Sequence, residues 1–310
     1  MRVQVISSFV ISAMSFAAIN PAMAKPGALD VSYLAAPPGA LGGSSGRVTG
    51  GGDSKPWIFT APPRGTRAQQ KAMYTPIARF LSHAAGHKVV YREPGNWLSY
   101  SRAMTEGKDD IVFDGPHFTS WRDRYLGDMP LVRLPEPFVF AVVVRRGERF
   151  TKLSQLAGRP VCANSPPNLG TLSLLSQFSY ITRQPYLVVV HGWPASYKGL
   201  MDKRCEATVL PIANLKLYEK GRHTVRTLYR TPVYPNQAIS AGPRVPAGVQ
   251  ARIRAALLSP AGQAVTRTLR HAYGAGRFVP ANRRDYAGLS HLLNNTLYFS
   301  GGGQVGLAQR

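Results

Sequence analysis

The sequence predicts an α/β protein built of two βαβαβ-type lobes joined by two hinge crossings. Three observations predict it. A pattern recurs 96 positions apart, so that Trp97, Lys108, Asp109 and Asp110 are answered by Trp193, Arg204, Cys205 and Glu206. Within each copy, short β-branched or aromatic runs alternate with longer segments of helical spacing, the order expected of strands separated by crossover helices. Proline or glycine closes the strand-like runs, at Pro62-Pro63, Gly115-Pro116 and Pro211.

In the first copy, residues 57–61 read as a buried strand that Pro62 and Pro63 end. The helix after it carries Ala68, Ala72, Met73, Ile77, Phe80 and Leu81 on one face, with a kink expected at Pro76 and a C-terminal cap at Gly86. Residues 89–91 form a second strand, 97–106 a short helix and 110–114 a third strand. The second copy repeats the plan. Strand 159–163 leads through Pro166-Pro167 into a helix carrying Leu169, Leu172, Leu175 and Phe178, followed by strand 186–190, helix 195–202 and strand 206–210. Such alternation predicts parallel sheets with right-handed crossovers. Residues 138–144 cross from the first lobe to the second, and 224–228 with 237–240 return. Helices are expected at 248–258, 262–272 and 283–294, packed on the first lobe. The lobes are then 56–140 plus 236–310 and 141–235, and paired crossings make a hinge that lets them close on a ligand.

Residues 1–24 read as a cleaved signal peptide, with Arg2, an apolar stretch and the small-residue site Ala22-Met23-Ala24. The competing reading is a membrane anchor, but about 15 apolar residues are short for a spanning helix. Residues 25–55, rich in Gly, Ala, Ser and Pro, are expected to be a disordered leader. Export implies an oxidising compartment, and Cys162 and Cys205 are the only cysteines. The repeat places them on strands of the same lobe, which predicts a disulfide; a catalytic thiol or two unpaired thiols are the alternatives. A formal charge of +23 raises nucleic acid as a partner, but the Arg and Lys residues are scattered over both halves, which favours a solvated basic surface. His83 and His87 stand four apart, but no carboxylate cluster joins them to support a metal site, and no nucleophile stands with its base. Neither a metal, a cofactor nor catalysis is therefore expected.

The order Tyr74-Thr75-Pro76-Ile77-Ala78-Arg79-Phe80-Leu81, Gly107-Lys108-Asp109-Asp110-Ile111, Gly115-Pro116-His117-Phe118 and Leu153-Ser154-Gln155-Leu156-Ala157-Gly158-Arg159-Pro160-Val161 resembles the phosphate, phosphite and phosphonate-binding proteins of ABC importers. These are periplasmic, type II solute-binding proteins. The resemblance covers residues 56–275 and implies a soluble periplasmic receptor that captures a small-molecule ligand and delivers it to an inner-membrane ABC permease, acting as a monomer. In open α/β sheets, ligands bind beyond the carboxyl ends of the strands. That rule selects Pro63, Arg64, Asn96, Trp97, Asp114, His117 and Phe118 in the first lobe, and Ser165, Asn168, Thr171, His191 and Trp193 in the second, with Pro62, Asn164, Pro211 and Asn214 beside them. Trp97 and Trp193 serve equally as plugs between helix and sheet, and Arg64 as a solvated cation.

Where the family offers consecutive Ser and Thr at the start of the second lobe's first helix, this chain has Asn164-Ser165-Pro166-Pro167-Asn168-Leu169. The prolines remove two backbone donors, which points away from phosphonate and toward a larger, partly apolar and anionic organic solute. A periplasmic sensor that presents its ligand to a membrane signalling partner is the alternative, followed by an enzyme on the same fold.

Overall fold

The computed structural model describes residues 55–294 together with Thr296 and Phe299. The expected signal peptide, and the leader up to residue 54, lie outside the described residues. In chain order the elements are β1 (Trp57–Thr60), α1 (Arg67–Ala85), β2 (Val89–Tyr91), α2 (Trp97–Thr105), β3 (Ile111–Asp114), α3 (Pro116–Leu126), β4 (Met129–Arg133), β5 (Phe140–Arg145), β6 (Pro160–Ala163) and α4 (Leu169–Leu175). There follow β7 (Tyr186–Val189), α5 (Trp193–Met201), β8 (Ala207–Pro211), α6 (Ile212–Glu219), β9 (Val225–Arg230), β10 (Ala238–Ala241), α7 (Ala247–Leu258), α8 (Pro260–Val265), α9 (Arg267–Ala272), β11 (Val279–Pro280) and α10 (Arg283–Tyr286).

Two sheets result. The first has six strands in the order β11-β4-β10-β3-β1-β2, and the second five in the order β7-β6-β8-β5-β9. The chain passes between them from β4 to β5 and from β9 to β10. The expected parallel core is present, with β2, β1 and β3 parallel in one sheet and β7, β6 and β8 in the other. The expectation of wholly parallel sheets needs correction. Strand β10 runs antiparallel to β3 and β4, and β5 runs antiparallel to β8 and β9. The crossing strands impose this, because a chain leaving one lobe for the other enters its new sheet from the hinge side. Strand β5 is therefore part of the second sheet as well as the end of the crossing.

Local chemistry sets the element ends. Helix α1 begins on a capping box in which the Thr66 hydroxyl accepts from Gln69 N, and it ends at Gly86 in the left-handed region (φ 65°). It continues through Pro76, which is exposed, as is Ala72 one turn earlier, so water can satisfy the carbonyl that proline leaves without a donor. The helix expected at 262–272 is two short helices that meet at Thr266, whose hydroxyl donates to Gly262 O. Gly262 is fixed by contact, since a Cβ there would fall 2.1 Å from Ala256 O. The helix expected over 283–294 is likewise divided, into α10 and a 3-10 turn at Leu289–Leu293.

Strand β5 shows how the core is split. Phe140, Val142 and Val144 enter one apolar cluster, while Ala141 and Val143 enter another with Leu200 and Leu210, the two-residue period of a strand covered on both faces. A separate core, with Phe59, Ile77, Leu81, Phe113, Ile253 and Leu257, joins the first sheet to α1 and α7. The cluster on the Phe140 side spans the lobes: Tyr100, Met104, Phe118 and Trp121 of the first pack with Leu169 and Leu172 of the second and with Leu292 and Leu293. Cys162 and Cys205 form the predicted disulfide, with Cα atoms 5.6 Å apart. Helix α5 lies directly on it, and a Cβ on Gly199 would be 2.5 Å from Cys162 Sγ.

Candidate functional site

The loops that follow the parallel strands face one another between the lobes. After β1, Pro62 is buried and Pro63 half-buried, which fixes the path of the chain into Arg64. The Arg64 Nη1 donates to the Tyr273 hydroxyl at 2.7 Å, and its guanidinium stands 5.9 Å from that ring's centroid. Its Nη2 would be 3.4 Å from a Cβ on Gly115, so Arg64 reaches the turn between β3 and α3. A Cβ at 115 would also press on the His117 ring, at 3.2 Å.

His117 is buried, its Nε2 is 2.9 Å from Pro167 O of the other lobe, and its Nδ1 has no partner among the described residues. The contact assigns the proton to Nε2, which donates to the carbonyl. Burial pushes the imidazole pKa down to about 3, against the pull of the Pro167 carbonyl and helped by the nearby Arg64 charge. The ring is therefore neutral at physiological pH. Between these values the unfolded chain, with an ordinary histidine, binds more protons than the folded one. Stability contributed by His117 is thus fully present above about pH 6.5 and falls as the solution is acidified. The loss between about pH 7.5 and about pH 5 is expected to be about 2 kcal/mol greater in the wild type than in His117→Gln, read from urea midpoints.

Asp114, the last residue of β3, lies beneath this site, fully buried. It accepts from the Tyr100 hydroxyl and, at 2.9 Å, from Arg122 Nε. Arg122 is also fully buried and donates through Nη2 to Asp109 Oδ2 at 2.9 Å. Burial raises the Asp114 pKa against the opposing effects of Arg122, Tyr100 and Arg64.

On the second lobe, the Asn164 side-chain oxygen accepts from Gly192 N at 2.7 Å, while its Nδ2 is buried with no partner among the described residues. Asn168 caps α4 by accepting from Thr171 N, and the Thr171 hydroxyl donates to Asn164 O at 2.6 Å. The polar side chains of this turn are therefore largely occupied in holding the turn itself.

The helix starts differ in one respect. Thr66, Asn96 and Asn168 cap α1, α2 and α4 with their side chains, whereas α3, α5 and α6 begin at Gly115, Gly192 and Pro211 without a side-chain cap. Uncapped N–H groups and the positive end of the dipole are what an oxyanion needs, and α3 starts next to Arg64.

The structure thus brings Arg64, Asp114, His117 and Phe118 together at the end of the first sheet, opposite the turn that carries Asn168 and Thr171. Trp97 stacks on Phe118 with centroids 6.2 Å apart, and Phe118 is fully buried in the interlobe cluster. Trp193 meets Phe140 edge-on at 5.9 Å, and both tryptophans pack on that same cluster. Asn96, Ser165 and His191 are exposed, the first engaged as a helix cap. Tyr273, Tyr100 and Arg122 escaped the sequence reading. No local pattern marks Tyr273, which is 209 positions from Arg64 in the chain.

The family model for the periplasmic substrate-binding protein of phosphonate ABC transporters matches residues 59–286. No curated protein matches the chain. Among solved structures, PhnD1 of Prochlorococcus marinus in complex with methylphosphonate aligns over 78% of this chain and 98% of its own, at 15% identity and a TM-score of 0.58. XAC2383 of Xanthomonas citri bound to ATP aligns over 77% and 96%, at 15% identity and a TM-score of 0.60. A binding protein component of a phosphonate ABC transporter from Pseudomonas aeruginosa aligns over 77% and 86%, at 11% identity and a TM-score of 0.56. At these identities the solved structures establish the fold they share with this chain.

Proposed function

The chain belongs to the family of periplasmic substrate-binding proteins of phosphonate ABC transporters, and on that premise we propose that it captures an oxyanion-bearing, partly apolar organic solute by closure of its two lobes. It has the two-lobed, type II α/β fold of such proteins. The lobes are taken as residues 56–140 with 236–310, and 141–235. Delivery is to an inner-membrane permease, by an exported monomer that performs no chemistry on its ligand. Among the described residues no helix is long and apolar enough to cross a membrane.

One observation carries the reading: Arg64 stands at the uncapped start of α3, beside the turn at Gly115 and across from the second lobe's turn, which His117 touches through Pro167 O. A fixed cation, a helix dipole and free N–H groups converge where a single negatively charged head group can be held. With Thr171 and Asn168 engaged in their own turn, the second lobe supplies fewer free donors, which favours a ligand whose remainder is bound through apolar contact near Trp97 and Trp193. The interlobe cluster that both indoles pack against supplies such surface.

Calorimetric titration with methylphosphonate, phenylphosphonate and inorganic phosphate tests this. Phenylphosphonate is expected to bind most tightly, and Arg64→Ala to weaken it by roughly 10- to 100-fold, the worth of one hydrogen bond to a charged group. Equal affinity in the wild type and the variant would remove Arg64 from the site.

A further inference from the structure

The end of the first sheet away from the interlobe loops contains a second recess, of about 140 Å³, where Asp109, Asp110, Asp128 and Arg244 meet the apolar Leu126 and Pro243 beside Gly242. Its carboxylates are not equivalent. Asp109 meets Arg92 with one oxygen and Arg122 with the other, at 2.9 Å. Asp110 accepts from Ile58 N at 2.7 Å and from Arg244 Nε at 2.6 Å. Asp128 is only 3% exposed, yet its carboxylate has no hydrogen bond or ion pair among the described residues.

Arg92, Arg122 and Arg244 are paired with Asp109, Asp114 and Asp110, whereas Asp128 has no ion-pair partner among the described residues. A buried, unpaired carboxylate is expensive, and it is relieved either by a proton or by a cation. Burial pushes the Asp128 pKa up to about 6; Asp114 and Asp109 add to the rise, while Arg122 and Arg244 oppose it. Above that value the carboxylate carries its charge.

The surroundings define what kind. A divalent metal calls for several free oxygen ligands, but the oxygens of Asp109 and Asp110 are already engaged. Among the described residues no three His, Cys, Asp or Glu side chains are grouped to hold a metal ion. One carboxylate in a small recess with apolar walls suits a single positive charge that carries N–H donors and a small apolar group. Gly242 keeps the space open: a Cβ there would stand 3.2 Å from Asp128 Oδ1 and 3.6 Å from the Asp109 carbonyl oxygen.

We propose that this recess is a second binding site, specific for a compact primary ammonium ion, with the Asp128 carboxylate as its anchor and the Asp109 carbonyl as a further acceptor. It is separate from the interlobe site and does not depend on the solute captured there.

Thermal unfolding at constant chloride concentration and neutral pH tests the proposal, with methylammonium as the probe and tetramethylammonium, which has the charge but no N–H, as the control. Methylammonium is expected to raise the wild-type Tm along a saturating curve, as a ligand confined to the folded state must. Tetramethylammonium is expected to leave it unchanged. Asp128→Asn is expected to start from a higher Tm and to be indifferent to methylammonium. Gly242→Ala keeps the carboxylate but narrows the space, and is expected to need roughly tenfold more methylammonium for the same shift. A flat wild-type curve, an equal response to tetramethylammonium, or an undiminished response in either variant overturns the proposal.

Discussion

Replacing Arg122 with methionine is expected to lower folding stability at neutral pH by about 3–5 kcal/mol, the cost of removing one partner from a buried ion pair. The guanidinium is fully buried and bridges Asp109, before β3, to Asp114, at its end. Without it, Asp114 keeps only the Tyr100 hydroxyl, in surroundings that already disfavour its charge. Methionine fills much of the volume but neutralises nothing. The loss has a definite pH signature. In the variant, the folded-state pKa of Asp114 rises further above its unfolded value, so the folded protein binds the extra proton. The penalty is therefore fully present near neutrality and shrinks as the pH falls through that raised pKa toward the ordinary carboxylate range. Urea denaturation of wild type and variant at several pH values measures both magnitude and sign. Arg122→Lys, which keeps the charge without the planar fork, is expected to lose less.

Removal of the Cys162–Cys205 bridge by paired alanine substitution is expected to cost about 4 kcal/mol, from the loop-closure entropy restored to the unfolded chain. The bridge joins residues 43 apart and ties the end of β6 to the start of β8. The loop it closes contains α4, β7 and α5, so much of the second lobe loses a covalent constraint at once. Thermal unfolding of the double variant, beside wild type treated with a reductant, measures the effect; coincident curves for the two are expected. The ligand contacts proposed above should survive wherever the variant remains folded, because the bridge lies in a small apolar cluster of its own with Val190.

The parts of this fold legible in the sequence were those written in local chemistry. Strands β1, β3, β6 and β8 are compact apolar runs closed by proline or glycine, and the repeat placed them in two sets, which was enough to pair the cysteines. Helix α3 was missed because it does not look amphipathic. It buries His117, Thr119, Ser120 and Arg122 as well as Phe118 and Trp121, since it is enclosed by the 3-10 turn at Leu289–Leu293 and by the seam between the lobes. An arginine with no surface exposure makes sense only once Asp109 and Asp114 are known to surround it. The antiparallel strands escaped for another reason: composition records that a segment is a strand, but not which way it runs. Arg64 was legible as a cation that follows a strand and two prolines, whereas its partner Tyr273 is brought in by the last third of the chain.

The central claim is that two lobes close on an anionic solute held by Arg64, and small-angle X-ray scattering of the purified protein with and without saturating phenylphosphonate tests it most directly. A smaller radius of gyration is expected with the ligand, and a smaller decrease for Arg64→Ala at the lowest concentration that saturates the wild type. A profile unchanged by phenylphosphonate that calorimetry shows to be bound would contradict it.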